Sequence, residues 1–414
     1  MLKTMERTTV DRVREFVLKK VQGLTAAVPK RADPFWKGLK DLGTRLWLDT
    51  GDFEAAGKLW ADEFSGLTTN NTLLNKEVQK GIYDTVIAEA GALLRDLDRE
   101  TRVIEVAFIL NALHGLRLVG DFRATVSVEL HTATAHDAKA AVEYGRRFAA
   151  ISPEHFVVKV PLTPEGLIAT RTLRSEGIPV NFTLGFSARQ NHLAAAFAFP
   201  SYVNLFLGRL NSYVSDNHLG DGLLVGEKAT LASQREVKAL SDKSGRQTLQ
   251  IAASIRDGLQ VEALAGVDVM TIPTAAAADA RSRLSGKWES RVGRAYQTTL
   301  AAGVEETKVR LSTLWDVTDR EKNLARELGA RPPQSGEELA DRARKAGVTD
   351  LFPQMSSDDL ARIAREGKIP KHASWAGRIS AGTAAIDSLL NLAGLASFTA
   401  DQAALDERVR GLLK

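Results

Sequence analysis

Eight short β-rich runs alternate with helical patterns between Arg45 and Pro273, and this alternation constrains the fold more than any other feature of the chain. Each run is rich in Val, Ile, Leu or Phe, and enough residues separate neighbouring runs for a crossover helix. The runs are residues 45–50, 66–70, 123–130, 155–161, 179–186, 202–209, 248–256 and 267–273. Eight successive βα units predict an α/β fold, a (β/α)8 TIM barrel. A doubly wound open sheet is the alternative, although Asp49-Thr50-Gly51-Asp52 is not a Gly-rich phosphate loop.

Helical patterns flank the predicted barrel on both sides. Residues 1–44 are expected to form an N-terminal extension of one or two amphipathic helices before the barrel of residues 45–284. From about residue 285 the chain is predicted to be helical to its end. Ser335 and Ser356 each precede an acidic residue by three positions, which is a helix-start signal, and Pro353 separates two of these helices.

Composition limits the chemistry available to this chain. It contains no Cys, which excludes disulfides, thiolate nucleophiles and Cys-based zinc sites, and its seven His residues form no H-E-x-x-H pattern. Any catalysis must therefore use mainly Lys, Asp, Glu, Asn, Thr and Arg, with no cofactor and no metal expected.

Charge and hydropathy give expectations about partners and location. The net charge is +4, and acidic and basic residues are intermixed, so a nucleic-acid partner is not expected. No apolar run approaches the ~20 residues needed to span a bilayer, and no secretory signal is recognised, so we expect a cytoplasmic protein without a membrane partner. A homo-oligomer is left open.

Polar residues at the carboxyl ends of the predicted strands are the candidates for a functional site, because barrel enzymes place their active sites at that face. Period-two alternation puts Asn181 with Thr183, and Ser254 with Arg256, on common strand faces. The candidates are Asp49, Thr68, Asn70, Glu129, Lys159, Asn181, Thr183, Asn204, Arg209, Ser254 and Arg256.

Lys159 is the most informative of these residues. It lies in Phe156-Val157-Val158-Lys159-Val160-Pro161, where a central parallel strand normally carries apolar residues on both faces. One interpretation is a lysine that extends its amine to solvent from the strand end. The other is a desolvated amine, which burial makes a better nucleophile, so that it attacks a carbonyl and forms a Schiff base. Asp49 and Glu129, on two other apolar strands, favour a single acid–base site.

Seven short segments resemble the signature segments of transaldolases in their order and spacing. They are Gly66-Leu67-Thr68-Thr69-Asn70, Val126-Ser127-Val128-Glu129, Val158-Lys159-Val160-Pro161, the run from Gly177 to Leu184, Phe206-Leu207-Gly208-Arg209, Ala253-Ser254-Ile255-Arg256, and the Leu-Ala-Gly ending at Gly266. By this resemblance Lys159 matches the Schiff-base lysine and Asp49 the general acid/base for carbon–carbon cleavage. Glu129 and Thr183 match the pair that positions a catalytic water.

The resemblance also implies a substrate. Asn70 and Asn181 match asparagines that bind the sugar hydroxyls, and Arg209 and Arg256 match arginines that bind the terminal phosphate. The implied enzyme is a transferase of carbohydrate metabolism, in the pentose phosphate pathway. It moves a dihydroxyacetone unit from a ketose phosphate such as fructose 6-phosphate to an aldose phosphate.

Several positions depart from the family pattern. Asn71 replaces a Pro, and Asn204 replaces a Ser near the phosphate site, which leaves another anionic sugar, such as a sulfosugar, as an alternative. His131, two residues after Glu129, is expected on the same strand face. Residues 285–384 are an insertion without a family counterpart, whereas residues 385–414, with Phe398, resemble the helix that closes over the barrel in transaldolases.

Other functions are also consistent with the sequence. A fructose-6-phosphate-type aldolase keeps Lys159 but releases free dihydroxyacetone. A metal-dependent aldolase would use Glu129, His131 and His155 as ligands, and a barrel retained as a scaffold would have no activity. Ser187 and Arg189 are further candidates to face the site.

Overall fold

Eight parallel strands form a closed barrel in the order of the sequence. The computed structural model describes residues 5–29 and 31–413. The strands are β1 (Arg45–Asp49), β2 (Phe64–Thr68), β3 (Thr125–Glu129), β4 (Phe156–Pro161), β5 (Val180–Thr183), β6 (Tyr202–Phe206), β7 (Leu249–Ala253) and β8 (Val269–Pro273). β1 pairs with both β2 and β8, which closes the ring. The predicted TIM barrel is confirmed.

Helices precede, connect and follow these strands. The first half of the chain contains α1 (Arg7–Val21), α2 (Pro34–Asp41), α3 (Phe53–Leu59), α4 (Asn71–Gln79), α5 (Asp84–Leu93), α6 (Arg99–Phe122), α7 (Ala138–Ile151), α8 (Pro164–Ser175) and α9 (Ala188–Phe197). The second half contains α10 (Leu207–Asp216), α11 (Val225–Ser244), α12 (Gly258–Ala263), α13 (Thr274–Arg283), α14 (Glu306–Val309), α15 (Asp319–Ala330), α16 (Gly336–Lys345), α17 (Ser357–Glu366), α18 (His372–Ser380) and α19 (Ile386–Leu412). Short 3-10 helices span Thr132–Thr134 and Leu311–Leu314.

Side chains cap several of these helices, and two of the caps lie where the sequence predicts them. The hydroxyl of Thr163 accepts the Gly166 N–H at the start of α8. Ser335 and Ser356 cap α16 and α17 by accepting from the residue three positions later, with N···O distances of 3.1 Å. Each cap satisfies a helix N–H that has no partner inside the helix.

Several strands end earlier than their β-rich runs. β6 ends at Phe206 instead of residue 209, so Arg209 lies in the first turn of α10. β7 ends at Ala253, so the prediction that Ser254 and Arg256 share a strand face is wrong. Ser254 has a φ of +61°, which ends the extended backbone there. The apolar pattern continues past each strand because the following loop or helix is also buried.

One helix is long and apolar enough to cross a membrane by its length and composition alone, although the sequence pattern predicts no such helix. In α6 the most apolar stretch has a mean hydropathy of 1.5, and 72% of it is buried inside the protein. His114, Glu105 and Asn111 lie on this helix and are themselves buried. A helix buried against its own barrel meets the same criteria by length and composition as a membrane helix.

The C-terminal region is less helical than its sequence pattern predicts. No helix occurs between Leu284 and Glu305, so the expectation of helix from residue 285 onward is wrong for that stretch. Arg291 N–H bonds to Ala265 O at 2.7 Å, and Ala301 N–H bonds to Leu219 O at 2.8 Å. This segment obtains its hydrogen bonds from the barrel loops, which compensates for the absence of a helix of its own.

The helices after this segment pack against one side of the barrel and over its mouth. α15 contacts α9, α16 contacts α8, and α19 contacts α4 and α6. The side-chain amide of Asn391, on α19, donates to Leu162 O at 3.0 Å and to Leu184 O at 2.9 Å, at the carboxyl ends of β4 and β5. α19 therefore covers the end of the barrel at which the candidate residues lie.

A buried ion cluster joins the barrel to this region. Arg189, on α9, donates to both oxygens of Asp387 on α19, to Asp350 Oδ1 at 2.8 Å and to Glu321 Oε1 at 3.1 Å. Ser187 Oγ also donates to Asp387, at 2.6 Å. Burial lowers the pKa of Arg189, but the three carboxylates outweigh it and raise that pKa well above its ordinary value. Arg189 and Ser187 are thus structural residues and do not face the candidate site.

We predict that Arg189→Met destabilises the protein by about 3–5 kcal/mol, because it leaves buried carboxylates without their cation. Urea unfolding measures this change. Arg146→Met is the matched control, since Arg146 forms an exposed pair with Glu176 that contributes about 0–1 kcal/mol. Equal destabilisation by the two substitutions would contradict the role given to Arg189.

Candidate active site

A cavity opens at the carboxyl ends of the strands, under α19. Eight of the eleven predicted residues line it, while Glu129, Asn181 and Thr183 lie deeper in the barrel wall. The eight are Asp49, Thr68, Asn70, Lys159, Asn204, Arg209, Ser254 and Arg256. Residues separated by more than 200 positions in the chain are brought together because every parallel strand ends at the same face.

Lys159 lies beside Glu129 because β3 and β4 pair these two residues in register. Lys159 is 3% exposed, and its Nζ is 3.8 Å from Glu129 Oε1 and donates to Thr69 O at 3.2 Å. Glu129 Oε2 accepts the Asn71 backbone N–H at 3.0 Å. Burial raises the pKa of Glu129, while Lys159 and the Asn71 N–H oppose that rise. The structure therefore places a buried amine next to a buried carboxyl group whose pKa is raised.

Asp49 approaches the same lysine from the opposite part of the ring. Thr68 Oγ1 donates to Asp49 Oδ1 at 2.7 Å and lies 2.6 Å from Thr271 Oγ1. Since the Thr68 hydroxyl has one proton, Thr271 must be the donor in the second bond. Burial raises the pKa of Asp49, and Lys159 and Thr68 lower it in part. Thr271 was not predicted, because a single Thr in an apolar strand carries no distinct signal.

The predicted asparagines take different positions. Asn204 donates to Asn181 Oδ1 at 2.7 Å, and Asn181 donates to Ser127 Oγ at 2.9 Å. Asn181 is thus behind Asn204, and only Asn204 lines the cavity. Asn70 caps α4 by accepting the Leu73 N–H at 2.9 Å, which holds its side chain at the cavity rim.

Thr183 lies in the barrel wall one strand beyond Lys159. It pairs in register with Pro161 on β4 and is fully buried. Among the residues that the structure describes, its Oγ1 has no hydrogen-bond partner. A buried hydroxyl in this condition is available to bind water or a ligand.

Two arginines occupy one side of the cavity. Arg209 is 6% exposed, and its Nη1 has no hydrogen-bond partner within residues 5–29 and 31–413. Burial, and then repulsion from Arg256, lower the pKa of Arg209 to about 10, although Asp401 opposes this. A guanidinium that is desolvated and lies near a second one is stabilised by a bound anion.

Gly208 allows these arginines to approach each other. A Cβ at this position would collide with Ser254 O and would lie 2.7 Å from Arg256 Nε. The first turn of α10, which carries Arg209, therefore passes directly against the segment that carries Arg256. Ser254, at a φ of +61°, has the kind of strained backbone that is common at functional sites.

Phe398 closes the cavity from above. Its ring centre is 5.9 Å from Lys159 Nζ and 5.9 Å from the central carbon of the Arg209 guanidinium. Gly394, one turn earlier on α19, lets the helix approach, because a Cβ there would lie 2.8 Å from Leu184 Cδ2 and 3.1 Å from Arg209 Nη1. An apolar ring at this position excludes water from the amine and the guanidinium.

The candidate metal ligands do not converge. His131 lies beyond the end of β3 and does not share its strand face with Glu129, which corrects the prediction. It accepts the Ala133 N–H and contacts Asp406 on α19 at 3.2 Å. Within the described part of the chain, no group of three or more His, Asp or Glu side chains is placed to hold a metal ion.

Comparison with known proteins agrees with this geometry. The family described as transaldolase/fructose-6-phosphate aldolase matches residues 46–316, which is more than half of the chain. The chain belongs to this family.

Curated relatives support the family assignment. A transaldolase of Xanthomonas euvesicatoria is 33% identical over 234 residues, which are 54% of this chain and 71% of that protein. A probable transaldolase of Kosmotoga olearia is 34% identical over 238 residues, covering 55% of this chain and 84% of that protein. A probable transaldolase of Caulobacter sp. is 42% identical over 156 residues, covering 37% and 64%.

We predict that Asp49→Asn increases the stability of the folded protein at neutral pH. Burial raises the pKa of Asp49 in the folded state, so the wild type loses stability as the pH rises above the free value of 3.8 and through the raised value. The Asn variant lacks this loss. The difference in the free energy of unfolding, measured in urea between pH 3.5 and 8, should therefore increase with pH and then level off.

The exposed residue Asp242, on α11, supplies the control for this experiment. Asp242→Asn should change the free energy of unfolding by little at any pH. A difference for Asp49→Asn that is constant or decreases with pH would contradict the assignment of a raised pKa.

Proposed function

We propose that this protein is a transaldolase that works through a Schiff base on Lys159. The observation that carries the proposal is the position of this amine. It is buried at the end of β4, 3.8 Å from Glu129, in one cavity with Asp49 and with two arginines that form no ion pair within the described part of the chain. The arginines suit the anionic end of a ketose phosphate, and the amine suits its C2 carbonyl. Membership of the family and relatives named transaldolase support the same activity.

The first half of the proposed reaction breaks a carbon–carbon bond. The Lys159 amine adds to C2 of the ketose, and the resulting carbinolamine loses water to form a protonated imine. Asp49 then takes the proton of the C4 hydroxyl, the C3–C4 bond breaks, and its electron pair moves through C3 and C2 to the imine nitrogen. An aldose phosphate leaves, and an enamine of dihydroxyacetone stays bound to Lys159.

The second half reverses these steps on a different aldose. C3 of the enamine attacks the aldehyde carbon of the acceptor, and Asp49 returns its proton to the new hydroxyl. Water then adds to the imine and releases the product. A carboxyl group whose pKa is raised by burial is suited to both roles, because it takes up a proton and returns it more readily than an ordinary carboxylate.

Glu129 and Thr183 are proposed to position that water. They lie on β3 and β5, on either side of the strand that carries Lys159. Glu129 has a raised pKa, and the Thr183 hydroxyl has no partner in the described residues. A carboxyl group and a hydroxyl on opposite sides of the imine can bind one water between them and transfer its proton.

Reduction with borohydride tests the covalent step. In the presence of fructose 6-phosphate we expect a reduced adduct on the peptide that contains Lys159, detected by mass spectrometry. Lys159→Met should lose the adduct and at least about 10³ in kcat, because the nucleophile itself is removed. Lys238→Met, at an exposed position on α11, is the control and should keep both.

If wild-type protein forms no adduct on Lys159, the Schiff-base mechanism is wrong. Circular dichroism and the urea midpoint check that Lys159→Met is folded, so that a loss of activity is not a loss of structure. Unchanged activity in a folded Lys159→Met variant would also contradict the mechanism.

A comparison with and without erythrose 4-phosphate separates transfer from simple cleavage. With fructose 6-phosphate alone we expect little more than one equivalent of cleavage per active site, because the enamine stays bound. The acceptor should increase turnover at least about tenfold, since it consumes the enamine. Continuous release of free dihydroxyacetone without an acceptor would instead identify a fructose-6-phosphate-type aldolase.

A further inference from the structure

We propose that Lys368 is a third cation for the anionic end of the substrate, and that it makes the site selective for a phosphate dianion. This proposal rests on the proposed function and names what the region after residue 316, which the family match does not cover, adds to it. Lys368 lies between α17 and α18, yet it lines the same cavity as Arg209 and Arg256.

The turn before Lys368 has a conformation that favours glycine. α17 ends at Glu366, and Gly367 follows with a φ of +80° and a ψ of −151°. This region of backbone space is almost restricted to Gly. Directly after this turn, Lys368 lines the cavity at the carboxyl ends of the strands.

The nearest carboxylate in the sequence is already used by the same loop. Glu366 Oε2 accepts the Lys371 N–H at 3.0 Å and the Trp375 Nε1–H at 2.9 Å. Those bonds close the loop and occupy this oxygen of the Glu366 carboxylate. In the described residues, Lys368 forms no ion pair with any carboxylate, so its charge is available to a ligand.

The loop is attached to the helix that carries Arg209. On α10, the Tyr213 hydroxyl contacts His372 Nδ1 at 3.0 Å. Asn217 donates to Pro370 O at 3.0 Å and accepts the His372 N–H at 2.7 Å. One rigid helix thus positions Arg209 through its first turn and the Lys368 loop through its later turns.

The number of cationic side chains at the cavity determines whether a sugar phosphate or a sugar sulfonate binds more tightly. Arg209, Arg256 and Lys368 have no acidic partner within 4 Å among the described residues. A phosphate monoester carries nearly two negative charges at neutral pH, whereas a sulfonate carries one. Two arginines are enough to neutralise either group, and a third cation adds more binding energy for the dianion than for the monoanion.

Steady-state kinetics test the proposal with Lys368→Met, which keeps most of the side-chain length and removes its charge. We expect KM for fructose 6-phosphate to rise about tenfold at low salt, with kcat within about twofold, and the effect to decrease at high salt. KM for unphosphorylated fructose should not change. Lys368→Arg should restore most of the affinity for the phosphorylated donor.

Lys371→Met is the matched control, because Lys371 belongs to the same loop but does not line the cavity. It should leave KM for fructose 6-phosphate unchanged. Equal KM values for the Lys368→Met, Lys371→Met and wild-type proteins would overturn the proposal. So would an equal rise in KM for phosphorylated and unphosphorylated sugars, which would indicate a structural role for Lys368.

Binding of inorganic phosphate keeps this test separate from the proposed reaction. Calorimetric titration needs no turnover, and Lys368→Met should weaken phosphate binding about tenfold relative to wild type and to Lys371→Met. If wild type forms no imine but Lys368→Met still weakens phosphate binding, the proposed function fails and the anion site stands. If the imine forms and phosphate binding is unchanged, the role of Lys368 is wrong and the proposed function stands.

Discussion

The hydrogen-bond register of the closed parallel barrel is the constraint on which the site depends. Glu129 pairs with Lys159 and Lys159 pairs with Asn181 across β3, β4 and β5. The backbone pairing of the strands therefore places these three polar side chains side by side. Across β1, β2 and β8 the same register places Asp49 beside Thr68 and Pro273. A shift of one residue would turn each of these side chains to the opposite face of its strand. The apolar residues that alternate with these polar residues determine the register. The packing of the barrel core therefore positions the polar side chains of the candidate site.

The candidate site contains buried polar groups whose electrostatic cost to folding must be offset by packing elsewhere in the protein. It contains two buried carboxyl groups with raised pKa values, a Thr183 hydroxyl that has no hydrogen-bond partner among the described residues, and an Arg209 guanidinium with a lowered pKa. Burial disfavours the charged form of each ionisable group, and the proposed substrate, water and anion would supply the partners that these groups lack. The Arg189 cluster has the opposite character, because every charge there has a partner. The candidate site and the Arg189 cluster are both buried and polar. They differ because the charged groups of the cluster have partners of opposite charge, whereas several polar groups of the site do not.

The sequence was sufficient to predict the barrel, since eight apolar runs with crossover-length spacing have few other solutions, and the charged residues on those runs pointed to the cavity. The sequence pattern was less accurate for the exact ends of strands and for residues placed by tertiary contacts. Arg209 and Ser254 lie beyond their strands, because a buried helix start and a left-handed residue look like strand in a purely apolar pattern. Lys368 had no signal, because its role depends on a turn at Gly367 and on contacts between α10 and α18 that are far apart in the chain. Most polar residues on the strands or shortly after them could therefore be predicted, whereas Lys368, which is placed by tertiary packing, could not.

The helices after residue 305 contribute to the candidate site through α19. This helix contacts the buried ion cluster, the strand ends and Lys159 at successive points along its length. Asp387, in its first turn, binds Arg189 in the buried cluster, Asn391 bonds to the ends of β4 and β5, and Phe398 covers Lys159. A helix held at two points cannot shift along its axis without breaking buried polar bonds, and so the ring of Phe398 stays over the amine. The loop that carries Lys368 is attached to α10 in the same way. α19 and the loop that carries Lys368 are both anchored to the barrel. The proposed exclusion of water and binding of an anion therefore depend on the same packing that holds the barrel strands in register.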